Sequence, residues 1–385
     1  MRFLHTGDWH IGRTIRTRSR STEFEAVLDQ VVDVAVDQQV DGVLLAGDIY
    51  DQRSASAEAD NLLFDTLLRL HDAKIPVVAI PGNHDSAARL EALGKLLRAI
   101  DVTIVPRVAL PDAGGVVELG SRDGAETAVI ACIPFIPERR FTDAADLFAD
   151  PAALFGSYDE KLGEVLSVMS GAFRDDAVNV VMGHLFIDGA KVAGSEREMT
   201  IGRGYAVAPS RLPDHASYIA LGHIHKPQQL TSAPSPTYYS GSLMQLDFGE
   251  IGQDKCVHVV DAHPRKPARV TAIPIDKGRR LVDLPEATID DIPKLAEGAG
   301  DAYLRVFVRT EGPVPGIADQ VRELLPNALD IHLVYERAEG GAPEVSLQSL
   351  QPRDQFVSYY RTKHGSDPEE VLMEAFDDLY EEVGS

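Results

Sequence analysis

Residues 43–51 read Val-Leu-Leu-Ala-Gly-Asp-Ile-Tyr-Asp, an apolar run that passes directly into acidic residues. A short apolar run that ends in turn residues predicts a buried β-strand. Four other apolar runs end in the same way, in side chains that can bind a metal ion. The clusters that follow these runs are Asp8-Trp9-His10, Gly82-Asn83-His84-Asp85, Gly183-His184 and Gly222-His223-Ile224-His225.

Because every cluster follows a strand, all five are expected at the carboxyl ends of strands in an α/β fold. Side chains that are far apart in sequence can meet in the crevice outside those ends. The candidate ligands are Asp8, His10, Asp48, Asn83, His184, His223 and His225. One ion rarely takes so many ligands, so the set predicts two ions. Nitrogen and oxygen donors without thiolate favour Mn²⁺, Fe²⁺ or catalytic Zn²⁺, whereas Mg²⁺ alone would prefer oxygen.

Each cluster taken singly also fits a turn followed by a helix cap. Five clusters in this order, each directly after a strand, favour a shared metal centre over five unrelated turns. The two interpretations stay open for Asp51 and Asp85. Either carboxylate can orient a histidine of the site, and either can cap the helix that follows it.

The composition limits the class of protein and its compartment. A chain of 385 residues is long enough for two domains and a tail. Two cysteines without paired spacing predict neither a disulfide framework nor a zinc knuckle. No apolar run approaches the ~20 residues that span a bilayer, and the first strand already carries Asp8, which leaves no room for a signal peptide. We therefore expect a cytoplasmic protein that does not enter a membrane.

A net charge of −23 argues against a generic basic nucleic-acid-binding protein. One loop departs from this acidic average, because residues 11–20 hold four arginines and no acid. These arginines are predicted to bind a DNA backbone, although a solvated surface loop fits equally well. They are Arg13, Arg16, Arg18 and Arg20.

Three segments are predicted along the chain. Residues 1–262 alternate strands with helices, such as those over 58–72 and 86–100, which indicates an α/β sandwich. A Pro-rich basic stretch at 263–267 is interpreted as a linker. Residues 268–338 then form a small α/β domain, with strands over 269–275, 303–309 and 331–336 and a helix over 317–325.

A C-terminal tail is predicted over residues 345–385, beyond a Gly-rich linker at 339–343. Apolar residues recur there at helical spacing on an otherwise acidic helix. Such a stripe either packs on its own domain or docks on a partner protein, and its place beyond a linker favours docking.

The five clusters together resemble the signature of the calcineurin-like metallophosphoesterases. The resemblance implies that Asp8, His10 and His225 hold one ion and that Asn83, His184 and His223 hold the other. Asp48 would bridge the two ions, which lie roughly 3.5–4 Å apart in such centres and clamp the attacking and leaving oxygens at phosphorus. His84 would be the catalytic histidine and Asp85 would orient it, while Asp51 would bind the second ring nitrogen of a ligand histidine.

Nearly the whole chain also resembles the SbcD family, the nuclease subunits of bacterial SbcCD complexes. Residues 8–12, 47–51, 218–225 and 239–243 carry this resemblance, with weaker support from 356–360 and 364–370. It implies a Mn²⁺-dependent DNA nuclease with 3′–5′ exonuclease activity on duplex ends and endonuclease activity on single strands or hairpins. The small domain at 268–338 would be a capping domain.

The same resemblance implies partners. The SbcC ATPase would control the nuclease in DNA end processing, repair and recombination at the nucleoid. A homodimer would form through the helices over 58–72 and 86–100, giving a 2:2 complex with SbcC. The tail would dock on SbcC through Phe356, Tyr360, Leu372, Phe376 and Leu379.

Two other functions are consistent with the same metal ligands. A small-molecule phosphodiesterase or phosphatase would use the same ions, but it has no need of the region after about residue 268. A non-catalytic scaffold protein would keep the fold, but it has no use for a complete ligand set with His84.

Overall fold

The computed structural model describes residues 1–137, 141, 157–196, 205–312, 314–335, 352–364, 367–368, 372–373 and 375–377. It divides into two compact units. The first comprises Met1–Val308 and Gly316–His332, and the second comprises Arg309–Pro315 and Leu333–Ser385.

Strands and helices alternate along most of the described chain. The strands are β1 (Arg2–Thr6), β2 (Gly42–Ala46), β3 (Val77–Ile80), β4 (Val102–Ile104), β5 (Val116–Gly120), β6 (Thr127–Ile133), β7 (Val178–His184), β8 (Phe186–Ile187), β9 (Ala206–Val207), β10 (Tyr218–Gly222), β11 (Gln228–Gln229), β12 (Thr237–Tyr239), β13 (Cys256–His263), β14 (Lys266–Pro274), β15 (Leu281–Asp283), β16 (Tyr303–Arg309) and β17 (Ala328–Val334). The helices are α1 (Ser21–Asp37), α2 (Ala57–Asp72), α3 (Ala87–Leu97), α4 (Tyr158–Ser170), α5 (Ile292–Ala296), α6 (Ile317–Leu324) and α7 (Pro352–His364).

Two six-stranded sheets form the body of the first unit. One has the order β14-β13-β1-β2-β3-β4, in which β1 to β4 are parallel and β13 and β14 form an antiparallel extension. The other has the order β11-β12-β10-β7-β6-β5, with parallel pairing from β12 to β6. Parallel strands buried on both faces explain why the central strands are apolar throughout rather than alternating.

The two sheets pack face to face, and helices cover their outer faces. Leu44 of β2 and Val180 of β7 belong to one buried cluster between the sheets. The next residue, Leu45, points to the opposite face and packs with α1, α2 and α3. Helix α4 covers the second sheet in the same way. The predicted α/β sandwich is thus confirmed.

The predicted linker at residues 263–267 is wrong. β13 and β14 pair antiparallel from Cys256↔Pro274 to His263↔Lys266, and Arg265 takes a positive φ of 57° in the turn between them. Residues 263–267 therefore form the end of a hairpin in the first sheet, and the predicted boundary at 268 falls inside it. Pro264 lies in the turn between the strands, and Pro267 is tolerated because β14 is an edge strand.

A separate three-stranded sheet has the order β15-β16-β17. Its strands β16 and β17 and helix α6 match predicted elements. The strand predicted at 269–275 is also present, as β14, but it belongs to the first sheet, and the third strand of the small sheet is β15. Short length explains why β15 was missed, since it has only three residues.

A buried ion pair joins α1 to this small sheet. The Arg20 guanidinium lies 2.7 Å from Oε2 of Glu23, and both side chains are almost completely buried. Tyr303 of β16 donates its hydroxyl to Glu23 Oε1 at 2.9 Å. Burial alone would raise the pKa of Glu23, but Arg20 lowers it below its usual value. Arg20 is therefore a structural residue, and its predicted contact with DNA is not supported.

The second unit contains α7 and the described residues that follow it. The rings of Phe356 and Phe376 stack with centroids 4.4 Å apart and planes 12° apart, and the ring of Tyr360 lies 6.1 Å from Phe356. Leu372 is 38% exposed. Leu379 lies outside the described residues. Two of the predicted partner-binding aromatics thus already contact each other within the unit. Among the helices that the structure describes, none is both long and apolar enough to cross a membrane.

We expect Glu23→Ala to destabilise the protein by about 3–5 kcal/mol, because it leaves Arg20 buried without a counter-ion. Urea unfolding followed by circular dichroism measures the effect. Glu25→Ala is the matched control, because Glu25 is exposed on the same helix and should change stability by less than about 0.5 kcal/mol. Equal unfolding midpoints for the two variants would show that the ion pair is dispensable.

Candidate metal centre

The structure brings all seven predicted ligand residues to one point. They lie at or just after the carboxyl ends of β1, β2, β3, β7 and β10, so both sheets contribute at the same edge of the sandwich. Each of the seven side chains is buried, and Asn83 is the most exposed at 6%. Three overlapping groups have ligand atoms within 4.8 Å of one another. They are Asp8 with His10 and His225, His10 with Asp48 and His84, and Asp48 with His184 and His223.

One side of the centre is built on Asn83. Its Oδ1 lies 3.0 Å from His184 Nε2 and 2.9 Å from His223 Nδ1. The same His184 Nε2 lies 3.4 Å from Oδ2 of Asp48. Three residues thus direct ring nitrogens and an amide oxygen at one position beside the Asp48 carboxylate.

The other side is built on two imidazoles. His10 Nε2 and His225 Nε2 lie 3.0 Å apart, and His10 Nε2 lies 3.6 Å from Oδ2 of Asp48. Asp8 belongs to this group, and its carboxylate also accepts the backbone N–H of His223 at 2.9 Å. Asp48 therefore contacts both sides of the centre.

These contacts fit divalent cations. His184 donates Nδ1–H to the carbonyl oxygen of Ala46 at 2.9 Å, so in the neutral ring its Nε2 carries a lone pair. That lone pair faces Asn83 Oδ1, which is also an acceptor. Two facing acceptors repel unless a proton or a cation lies between them, and carboxylate, amide and imidazole are ligands that divalent metals accept. The clusters therefore offer the donor atoms that a dimetal site needs.

Electrostatics lead to the same conclusion. Burial lowers the pKa of His184, but the charge and hydrogen bond of Asp48, together with Asp8, raise it to about 9. Burial raises the pKa of Asp48, yet the His184 and His84 imidazoles hold it well below its usual value. The centre therefore keeps the Asp48 carboxylate ionised and attracts positive charge.

Unusual backbone conformations aim the ligands. Asp8, His10 and Asp48 have φ values of 48–49° and His223 has a φ of 100°, a region that non-glycine residues rarely adopt. Such strain typically clusters at functional sites. Gly82 permits the close approach of the loops, because a Cβ there would lie 2.2 Å from Oδ1 of Asp48.

His84 lies beside the candidate ligands and is held by its neighbours. Its backbone N–H donates to Asp48 Oδ1 at 2.8 Å, and its Nδ1 donates to the backbone carbonyl of Asp51 at 2.7 Å. The ring stands edge-on to His10 with centroids 4.6 Å apart. The orienting group of His84 is thus a backbone carbonyl.

Asp85 does not contact the His84 ring as expected. Its carboxylate accepts backbone N–H groups from Ile49, Tyr50 and Gly82 at 2.9–3.1 Å. Burial and the nearby Asp48 raise its pKa to about 6. The three hydrogen bonds to Asp85 fix the loop that carries Asp48. Asp85 does not cap α3, because Ser86 does.

Asp51 lies next to a candidate ligand, as predicted. Its Oδ1 is 3.5 Å from His10 Nδ1 and 3.0 Å from an Arg13 guanidinium nitrogen. Burial raises the pKa of Asp51, but the His10 hydrogen bond and Arg13 lower it to about 2. Ser56, not Asp51, caps α2.

The remaining arginines of the loop contact protein groups. Arg13 pairs with Asp51, and Arg16 pairs with Asp330 at 2.7 Å. The Arg18 guanidinium lies 5.8 Å from the centre of the Tyr303 ring. The contacts of Arg13, Arg16 and Arg18 are partly exposed, so solvent weakens them.

Sequence reasoning missed a carboxylate behind His225. Glu250 is fully buried, and its Oε1 lies 3.2 Å from His225 Nδ1 while its Oε2 lies 2.6 Å from Lys255 Nζ. Ser195 Oγ lies 2.6 Å from the same His225 Nδ1. Carboxylates in this position fix the tautomer of a ligand histidine. No local motif marks Glu250, because it reaches the site only through the folding of a loop 25 residues away.

We expect Glu250→Gln to weaken metal binding about 10–100-fold, since the negative charge behind His225 is lost. Isothermal titration of the metal-free protein with Mn²⁺ measures the change. Glu118→Gln, at an exposed glutamate, is the control and should bind as the wild type does. Unchanged affinity in Glu250→Gln, with the fold intact, would contradict the role of this carboxylate.

Two family models match separate parts of the chain. The model for calcineurin-like phosphoesterases matches residues 1–227, and a model described as a type 5 capsule protein repressor C-terminal domain matches residues 277–364. The first match covers strands β1 to β10 of the sandwich and all the candidate ligands. The second begins just before the small sheet.

The chain is also similar to curated proteins that are named as the SbcD subunits of nuclease SbcCD. The one from Bacillus subtilis is 29% identical over 98% of this chain and 97% of its own length. The Rhodobacter capsulatus protein is 31% identical over 81% and 78%, and the Escherichia coli K12 protein is 33% identical over 68% and 64%. Together with the motif residues that meet at Asp48, these matches place the chain in the calcineurin-like phosphoesterase family and, within it, in the family of SbcD nuclease subunits.

Proposed function

We propose that this chain is a metal-dependent nuclease that hydrolyses phosphodiester bonds of DNA. The observation that carries the proposal is the meeting of six other buried ligand side chains around Asp48, with His84 held beside them. Similarity to the SbcD nuclease subunits supports DNA as the substrate.

In this proposal Asp8, His10 and His225 would hold one cation. Asn83, His184 and His223 would hold the other, and Asp48 would be a ligand of both. When bound, a pair of divalent ions polarises the phosphoryl oxygens and lowers the pKa of a bound water. The protein supplies a buried frame, in which Ala46, Asp51 and Glu250 orient the ring nitrogens of His184, His10 and His225.

His84 acts on the substrate. Because its Nδ1 donates to the Asp51 carbonyl, Nε2 is the ring atom that holds or moves a proton at the leaving oxygen. A protonated ring at this place would also stabilise negative charge that develops on the phosphate. The rigid hydrogen bond to the backbone keeps the ring in place for both tasks.

We further propose that Mn²⁺ is the working metal, although Mg²⁺, Fe²⁺ and Zn²⁺ have compatible ligands here. The activities proposed are 3′–5′ exonuclease action on duplex ends and endonuclease action on single strands or hairpins. The small sheet and the second unit distinguish this chain from a small-molecule phosphodiesterase, which has no need of them. His84 counts against a non-catalytic scaffold.

Partners follow from the family. The relatives are named as parts of a complex, and we propose that this chain assembles with the SbcC ATPase. Phe356, Tyr360, Leu372 and Phe376 of the tail are the proposed contact. A homodimer through α2 and α3 is supported by two exposed leucines, Leu68 at 45% and Leu96 at 75%, and would give a 2:2 complex.

The proposed domains are a nuclease domain, a capping domain and a C-terminal tail. The hairpin of β13 and β14 moves the start of the capping domain to about β15. A DNA nuclease acts where DNA is held, so we propose a cytoplasmic, nucleoid-associated protein. Two buried free cysteines, Cys132 and Cys256, fit a reducing compartment.

We expect His84→Ser to retain both metal ions while cleavage falls by at least about 10²-fold, because the variant loses proton transfer but no ligand. Asp48→Ala should lose metal as well as activity. Cleavage of end-labelled duplex, hairpin and single-stranded DNA with Mn²⁺ is compared with hydrolysis of a small aryl phosphodiester, and bound metal is measured by mass spectrometry.

His215→Ser is the matched control, since His215 is an exposed histidine that belongs to none of the five ligand clusters. Loss of metal from His84→Ser would contradict the role assigned to His84. Turnover of the small ester without any DNA cleavage, in the presence of SbcC, would favour the small-molecule phosphodiesterase instead.

A further inference from the structure

A cavity of about 280 Å³ opens beside the candidate metal centre. It is lined by Asn83, by the first turn of α3, by Phe135 and by two arginines, Arg53 and Arg107. Small-molecule pockets usually measure roughly 300–1,000 Å³, so this one suits a single nucleotide and not a duplex. The function proposed above assigns no role to Phe135 or to either arginine.

Phe135 forms the boundary between the cavity and the ligands. Its ring is half-buried and lies 6.2 Å from the His223 ring, with the planes 23° apart. The His184 ring is 6.4 Å away on an edge-on approach. The backbone N–H of Phe135 donates to Pro81 at 3.2 Å, which ties the ring to the loop that carries Asn83.

The ring of Phe135 is also part of an aromatic series. Tyr205 lies 5.8 Å from Phe135 at an interplanar angle of 23°, nearly parallel to it. Phe135 is partly exposed and lines the cavity, so the part of its ring that Tyr205 and His223 leave uncovered offers a surface on which a base can stack.

The two arginines supply positive charge to the same cavity. Both are exposed, and Arg107 pairs with Glu91 at 3.4 Å across a contact that is about half exposed on each side. Solvent screens such a pair, so an incoming phosphate can replace Glu91. Asp85 also lines the cavity, but its carboxylate already accepts three backbone N–H groups.

We propose that this cavity binds the nucleotide next to the scissile phosphate, with its base stacked on Phe135 and its phosphate near Arg53 and Arg107. A cavity of about 280 Å³ has no room for a base pair, so the nucleotide in the cavity is unpaired. The cavity therefore selects single strands, hairpin loops and frayed ends. This inference rests on the proposed nuclease function.

A kinetic comparison tests the stacking. The kcat/KM for hydrolysis of the p-nitrophenyl ester of thymidine monophosphate is compared with that of the matching ester of abasic deoxyribose phosphate. Each ester has one readily cleaved bond, and the two differ only in the base. The base should raise kcat/KM about tenfold in the wild type, as expected for one stacked base. In Phe135→Leu the two esters should react almost equally, with bound metal unchanged.

Phe173→Leu is the matched control, since Phe173 is a half-buried phenylalanine that also contacts a histidine, His215. It should keep the wild-type ratio of the two esters. An unchanged ratio in Phe135→Leu would overturn the stacking role. Loss of metal with an equal loss of activity on both esters would also overturn it, because Phe135 would then only support His223.

A binding experiment separates this inference from the nuclease proposal. A single strand that contains 2-aminopurine is titrated with metal-free protein, and stacking should quench its fluorescence in the wild type but not in Phe135→Leu. Arg107→Gln should weaken binding about threefold and reduce the slope of log affinity against log salt by about 0.7. Arg98→Gln, at an exposed arginine just after α3, is the control.

Quenching without any DNA cleavage would retain the nucleotide site and reject the nuclease. Cleavage of single strands with identical quenching in the wild type and Phe135→Leu would retain the nuclease and reject the site.

Discussion

The buried carboxylate of Asp48 is the constraint on which the site depends. A fully buried negative charge is costly unless cations or donors surround it. Here Asp48 accepts the His84 N–H and lies within 3.6 Å of nitrogens from His10 and His184. Each of these groups comes from a different loop, so the position of Asp48 fixes where those loops must meet. The surrounding ligands are those that bind two divalent cations.

The sandwich makes this meeting possible. Parallel strands from two packed sheets end at one edge, and the loops that leave them carry the ligands. Gly47 and Gly82 allow these loops to touch, since a Cβ at Gly47 would lie 2.3 Å from the His184 ring and one at Gly82 would meet Asp48. The motifs therefore need glycine at these two positions for steric reasons, whereas the residues that follow the glycines are needed for their ligand atoms.

Much of the fold and of the ligand set could be predicted from the sequence, because the signal is local. An apolar run followed at once by Asp, Asn or His identifies both a strand and its carboxyl end, and five such patterns imply convergence. Groups that reach the site through tertiary folding have no such signal. Glu250 orients His225 from a separate loop, and the carbonyl of Asp51 rather than Asp85 orients His84. Composition also gave two wrong predictions. Arg20 was expected to contact DNA, but its charge is paired inside the protein. Residues 263–267 were expected to form a linker, but they form the end of a hairpin.

The measurement that tests the central claim most directly is anomalous diffraction from crystals of the full chain grown with Mn²⁺. The account predicts two anomalous peaks in each chain, both within bonding distance of the Asp48 carboxylate, one on the side of Asn83 and the other on the side of His225. A single peak, or a second peak that does not contact Asp48, would contradict a dimetal centre built on this residue.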